Sequence, residues 1–410
     1  MKIFLAAEDT GAIKEVVFDE GMDTSVQDGP QPLITSFAAL GKLKHIQKLA
    51  LVTTSKGTKY IAAARKNGTI EVYPYLLTEE STPIFVYSAE GAEKCPWIGL
   101  TQYDDNTVVA GLEDGRLFFL DVSKVTIESD KPYDAPTASV KGPLACFALD
   151  RELYPGKIAV GGKERDLEVF GWAVKGDEVT VRSEFQARNV KSNEIDMRVP
   201  VWISGILFQA SDKDGFRVIT ATRHGQIRVY ETWHGKRPKW DFKVTKDPLR
   251  TLAPGMDASN VVSSDAHSST FKFNFADNEK IVLKNKDNNQ NKEHNRKSPC
   301  VVEKFPGSLG AVLHLVTTDN GLLATVGLDR YLRIFDLETT ECTAKMFVGT
   351  QVSSLLFVDT ERKTAQEKHV EETAEKEDDE LWNDLDKVEK KSNKRRVAGN
   401  DEGKKKLKSA

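Results

Sequence analysis

A short apolar run, a polar turn and a second apolar run recur seven times along this chain, and that repeat constrains the fold more than any other feature. The copies pair residues 4–7 with 16–18, 60–63 with 70–73, 108–111 with 117–120 and 158–161 with 167–170. They continue as 218–221 with 227–230, 261–264 with 271–273 and 323–326 with 332–335. Each copy reads as a β-hairpin, and the small residues of its first strand suit a crowded core. The copies recur roughly every 44 to 61 residues, slightly longer than the about 40–45 of a four-stranded propeller repeat.

The pattern predicts an all-β chain: a seven-bladed WD40-type β-propeller over residues 1–358, followed by a disordered, charged C-terminal tail over 359–410. Labelling the strands of a blade a to d from the axis outwards, the first copy begins too close to Met1 to have an a strand upstream. The run 352–358, after a final d strand at 342–348, is the candidate to fill that place and close the ring, which removes exposed sheet edges. Blade six is the least regular, with a polar, Asn/Lys-rich insertion at 278–298. The Trp-Asp and Gly-His pairs of WD40 repeats are mostly absent, so apolar packing is expected to hold the blades more than a polar tetrad.

No run of eighteen apolar residues is present, which argues against a membrane span. The start, Met1 to Ala7, has too short an apolar stretch for a signal peptide, and Glu8-Asp9 follow at once. Cys95, Cys146, Cys300 and Cys342 show no CxxC spacing and read as reduced thiols of an intracellular protein. Nucleotide-binding glycine loops, zinc-protease and serine-hydrolase motifs are all missing. Asp166, Asp196 and Asp329 sit where acidic residues cap turns. The expectation is therefore no enzyme, no cofactor, no metal and no small-molecule substrate.

The b–c turns and d–a linkers of a propeller share one rim. On it fall Arg65-Lys66, Lys163, Arg165, Arg198, Arg223-His224 and Arg330, together with Glu8-Asp9 and Glu113-Asp114. The positive arc lies towards blades four, five and seven, and arginine forks suit phosphate and carboxylate partners alike. Two segments stand out: 188–202, joining blades four and five, and 234–238, a c–d turn. Trp202 reads as core packing at a strand start, Arg198 as either an inter-blade salt bridge or a ligand contact, and Lys236 and Arg237 as either a solvated turn or a contact. The candidates for partner or rRNA contact are Arg198, Arg223, His224, Lys236, Arg237 and Arg330.

The net charge of −4 conceals an acidic block followed by a basic one in the tail. Leu381, Trp382 and Leu385 fall at helix-like spacing within 379–388 and are candidates for docking a partner. The basic clusters Lys394-Arg395-Arg396 and Lys404-Lys405-Lys406 read as nuclear targeting.

The segments 14–16, 21–27, 196–202, 234–238 and 327–336, with 379–383 in the tail, together resemble the NOP-seven-associated family of nucleolar WD-repeat proteins of ribosome assembly. That resemblance spans the chain apart from the 278–298 insertion. It implies a non-enzymatic assembly factor in the nucleus and nucleolus, bound to early pre-60S particles beside other assembly factors and precursor rRNA. It also implies removal by an AAA-type ATPase. The competing reading is a generic WD40 adaptor, a ubiquitin-ligase substrate receptor or histone reader, that binds peptides.

Overall fold

A computed structural model describes residues 1–359 except 28, 79–80, 123–133, 176–177, 193–194 and 276–300. Its strands form seven four-stranded antiparallel sheets. Among the described residues there is no α-helix, and no helix is long and apolar enough to cross a membrane. The inner strands are Val352–Asp359 for blade one, then Ile46–Thr53, Trp97–Gln102, Cys146–Leu149, Ile203–Gln209, Leu249–Pro254 and Val312–Thr317 for blades two to seven.

The strands form where the hydrophobic pattern places them, because an element packed between two neighbours must bury both faces. The b strands are nearly continuous runs of buried apolar residues, as in Lys59–Arg65 and Leu322–Gly327. The outermost strands alternate instead: Phe85–Ser88 reads buried, exposed, buried, exposed. Blade-to-blade packing interleaves these faces. Phe147 of blade four, for example, lies where any side chain at Gly99 or Gly111 of blade three would collide with its ring.

The ring closes through its first blade. Val352–Asp359 pairs antiparallel with Lys2–Ala7, setting Ile3 opposite Phe357 and Ala7 opposite Val352. Two serines then fasten this strand to blade two: the Leu49 N–H donates to Ser354 Oγ at 3.0 Å, and Ser353 Oγ donates to the Ile46 carbonyl. A second clasp lies in the main chain, where no side-chain pattern marks it. The long c–d connection of blade one crosses to blade seven, where Gly21 N–H donates to Thr343 O at 2.7 Å, Lys345 N–H to Met22 O at 2.8 Å and Thr24 N–H to Lys345 O at 2.9 Å. This short parallel bridge covers backbone of the outermost strand of blade seven, which would otherwise be an open template for pairing.

Polar packing is heavier than the degenerate repeat suggests. Arg65 is 0% exposed: it pairs with Glu71 and donates to the carbonyls of Gly11, Lys44 and Ala38 and to Tyr73 Oη. It is not a rim residue open to a partner, because those bonds occupy its whole fork. Arg333 is likewise buried against Asp329 at 2.6 Å. Asp329 also accepts from the N–H groups of Leu309 and Tyr331, so there the turn-capping expectation holds.

Candidate interaction site on the rim of blades four and five

Two b–c turns and one long linker build this site. The b–c turn of blade four carries Lys163 and Glu164, and that of blade five carries Arg223 and His224. The linker from blade four to blade five ends at Val201–Trp202. Both turns hold it by backbone bonds: Glu164 N–H donates to Val201 O and Arg223 N–H to Trp202 O, each at 2.8 Å. Gly225 lets the second turn close. Its φ is +67°, and a Cβ there would stand 2.2 Å from the Thr245 carbonyl oxygen.

Trp202 sits between these turns. It is half-buried and lies outside the apolar cluster that takes in its neighbours Val201 and Ile203, so it is not the core residue its sequence position suggests. The Lys163 ammonium lies 5.0 Å from its ring centre and the Arg223 guanidinium 5.8 Å. Two cations against one indole are held by the ring's negative face.

On the two blades that carry these turns several polar atoms are buried without a partner among the described residues: Arg165 Nε and Nη1, Arg223 Nε and Asp166 Oδ1. Arg165 is held through its Nη2, which donates to Glu168 Oε2 at 3.0 Å. Asp166 lies within the strand Arg165–Lys175 and caps no turn among the described residues. Burial pushes its carboxyl pKa up, against the opposing pull of the Arg228 and Arg198 charges. Burial also pulls Arg165 and Arg223 below the usual guanidinium range, and the nearby Arg250 charge adds to the effect at Arg223. Each buried donor without a partner costs about 1–3 kcal/mol.

Of the six candidates for partner or rRNA contact, the structure sets five, all but Arg330, on or against this linker and its turns. Arg223 and His224 occupy the blade-five turn, and both are half-buried. The His224 pKa is lowered, first by burial and then by Lys243, whose ammonium donates to the His224 carbonyl. Arg198 is exposed on the linker and makes no ion pair among the described residues; only its charge reaches Asp166. Lys236 and Arg237 are exposed, yet their c–d loop folds back onto the linker. The Lys236 carbonyl accepts from Arg188 N–H at 2.8 Å, and Arg237 Nε donates to Asn189 O at 3.2 Å. They are ties between the two distinctive segments as well as surface cations. Arg330 is exposed on the b–c turn of blade seven at φ 63°, and nothing joins it to this group.

Asn189 was not among the sequence candidates. Its side chain donates to Val199 O at 2.6 Å and accepts from Val190 N–H and from Arg228 Nη1. The only signal was its place in the 188–202 segment. Among the described residues no group of His, Cys, Asp and Glu could hold a metal ion. The tail candidates Leu381, Trp382, Leu385, Lys394, Arg395, Arg396, Lys404, Lys405 and Lys406 lie outside the described residues.

Similarity to known proteins runs along the whole chain. It is 29% identical over 375 residues to the ribosome biogenesis protein NSA1 of Meyerozyma guilliermondii, covering 88% of this chain and 92% of that protein. It is 27% identical over 424 residues to ribosome biogenesis protein nsa1 of Schizosaccharomyces pombe, covering 96% and 98%. The chain is a homologue of the NSA1 ribosome biogenesis proteins. This agrees with the resemblance drawn from the segments at 21–27, 196–202, 234–238 and 327–336. No family model matches. Among solved structures, the β-propeller domain of Myceliophteria thermophila Cps50 (Swd1) superposes with a TM-score of 0.53 at 11% identity, covering 74% of this chain and 87% of that one. The WD40 propeller domain of Doa1 gives 0.51 at 14% identity, covering 76% and 85%. At those identities the likeness to the solved structures concerns fold alone.

Proposed function

We propose that this protein is a non-enzymatic binding platform of ribosome biogenesis, acting in the nucleus and nucleolus on early pre-60S particles. Homology to the NSA1 proteins supports the process. The observation that carries the platform reading is the rim of blades four and five, where Trp202 packs with both Lys163 and Arg223. An aromatic face flanked by cations suits precursor rRNA, with a base on the ring and phosphates on the cations, and acidic surfaces of assembly factors suit the same cations. Arg198, His224, Lys236 and Arg237 border this surface, and Arg330 is a separate contact on blade seven. In this reading the basic tail clusters direct nuclear entry, Leu381, Trp382 and Leu385 dock a partner, and an AAA-type ATPase removes the protein as the particle matures.

The test is affinity purification of the full chain followed by identification of co-purifying RNA and protein. Large-subunit precursor rRNA and assembly factors are expected. Recovery of ubiquitin-ligase subunits or histones in their place would support the adaptor reading and overturn this one.

A further inference from the structure

The seven inner strands carry three basic side chains, Lys48, Arg250 and His314, against one acidic residue, Asp359. Their positions are not scattered. Lys48 lies opposite Ala64, and His314 lies opposite Val326, each the next-to-last residue of its b strand. Arg250 lies in the bulge between the pairs Leu249–Asp265 and Thr251–Ser264, at the same level. All three therefore stand just inside the rim that carries the b–c turns. Asp359 lies at the other end of its strand, opposite Lys2, where its charge bears on Lys2 and Tyr75.

The three groups come from blades two, six and seven yet share one electrostatic neighbourhood. The charges of Lys48 and Arg250 both act on His314, and Arg250 acts on Arg223 of the rim. Among the described residues no carboxylate acts on Lys48 or His314. Each of the three residues keeps some solvent exposure, and burial still pulls the Lys48 and His314 pKa values down. Lys48 and Arg250 carry the charge here, since His314 stays neutral, and burial strips Lys48 of part of its hydration, a cost that an incoming anion relieves.

We propose that the rim-side mouth of the central channel, at Lys48, Arg250 and His314, is a receptor for an acidic polypeptide segment. Carboxylates on slender side chains can enter an opening walled by backbone strands, whereas a nucleic-acid phosphate must bring its ribose and base with it. The ammonium and guanidinium supply the charge, and the neutral His314 imidazole supplies one ring N–H. The site is distinct from the Trp202 surface and stands whether or not that surface binds rRNA.

The full chain is titrated with a synthetic Glu-rich decapeptide and, in parallel, with a single-stranded oligoribonucleotide of equal charge. The expected result is salt-sensitive binding of the peptide that weakens about tenfold or more in Lys48→Gln and Arg250→Gln. The oligonucleotide should bind the wild type and both variants equally. Should the variants unfold, the wild type still decides: the peptide should perturb the His314 imidazole resonances and raise its titration midpoint, and the oligonucleotide should not. Peptide binding unchanged in folded variants, or an oligonucleotide that displaces the peptide and moves His314, would overturn the proposal. So would His314 signals indifferent to saturating peptide.

Discussion

Arg228 donates through Nη1 to the side-chain oxygen of Asn189, 3.2 Å away, and that bond anchors the linker of blades four and five to the middle of blade five. Arg228 is 0% exposed and also donates through Nε to Asp241 Oδ1 at 3.1 Å. Replacing Asn189 with Ala leaves a buried guanidinium N–H and the Val199 carbonyl without their partner. The expected cost is about 1–3 kcal/mol. Urea denaturation measures it, and proteolysis within 195–200 should accelerate in the same variant. Unchanged stability with unchanged cleavage would show that Asn189 does not anchor the linker.

Ring closure by residues 352–359 has a direct consequence for truncation. A chain ending at Thr350 loses the inner strand of blade one, including the buried Val352 and Leu355 and the serine bonds to blade two. Lost burial at about 25 cal/mol per Å² amounts to several kcal/mol, a large part of the about 5–15 kcal/mol that holds a typical domain. A chain ending at Thr360 should melt as the full protein does, and the shorter one should not fold stably. Equal melting temperatures would contradict the closure.

His314 gives the fold an acid-sensitive component. Burial, reinforced by Lys48 and Arg250, lowers its pKa from 6.5 to about 3. Unfolded, the same imidazole binds its proton at the higher value, so its contribution is complete above 6.5 and is lost as the pH falls towards 3. The loss is at most about 1.4 kcal/mol per pH unit. His314→Asn should therefore flatten the decline in stability between pH 6.5 and 4 relative to wild type, as measured by thermal melts at each pH. Parallel declines in the two proteins would remove His314 from the account.

The blade pattern was legible from the sequence because strands packed on two faces leave long apolar runs, and Gly and charged turns punctuate them. The seven hairpins and the closing strand could be read in that way. What could not be read was set by tertiary backbone bonds or by pairing across a hairpin. The segment 21–24 bonds to blade seven through its main chain, which no side-chain pattern encodes. Arg65 looked like a rim cation, but Glu71 lies across the b–c hairpin from it, so the pair buries itself. Trp202 looked like core because an aromatic before a strand usually is; here two turns hold it at the rim. Asp166 falls inside the strand Arg165–Lys175 while Asp329 stands in a b–c turn, and of the two only Asp329 finds N–H donors among the described residues.

The tail separates into two testable parts. Changing Lys394, Arg395, Arg396, Lys404, Lys405 and Lys406 to Ala should shift the protein towards the cytoplasm, as seen by fluorescence imaging. Changing Leu381, Trp382 and Leu385 to Ala should leave it nuclear and weaken partner capture, with a loss of roughly 2 kcal/mol or more if the aromatic dominates the segment. A nuclear signal unaffected by the first change, or a partner profile unaffected by the second, would contradict the assigned role.

The central claim is that the rim of blades four and five holds this protein on pre-60S particles. Lys163 and Arg198 are both exposed there, so reversing them to Glu changes charge without emptying the core. Gradient sedimentation of the Lys163→Glu, Arg198→Glu double variant, expressed at wild-type level and melting at the wild-type temperature, is the most direct measurement. The account expects the variant to leave the pre-60S fractions and collect as free protein near the top of the gradient. A folded variant that still co-sediments with pre-60S particles as fully as wild type would contradict it.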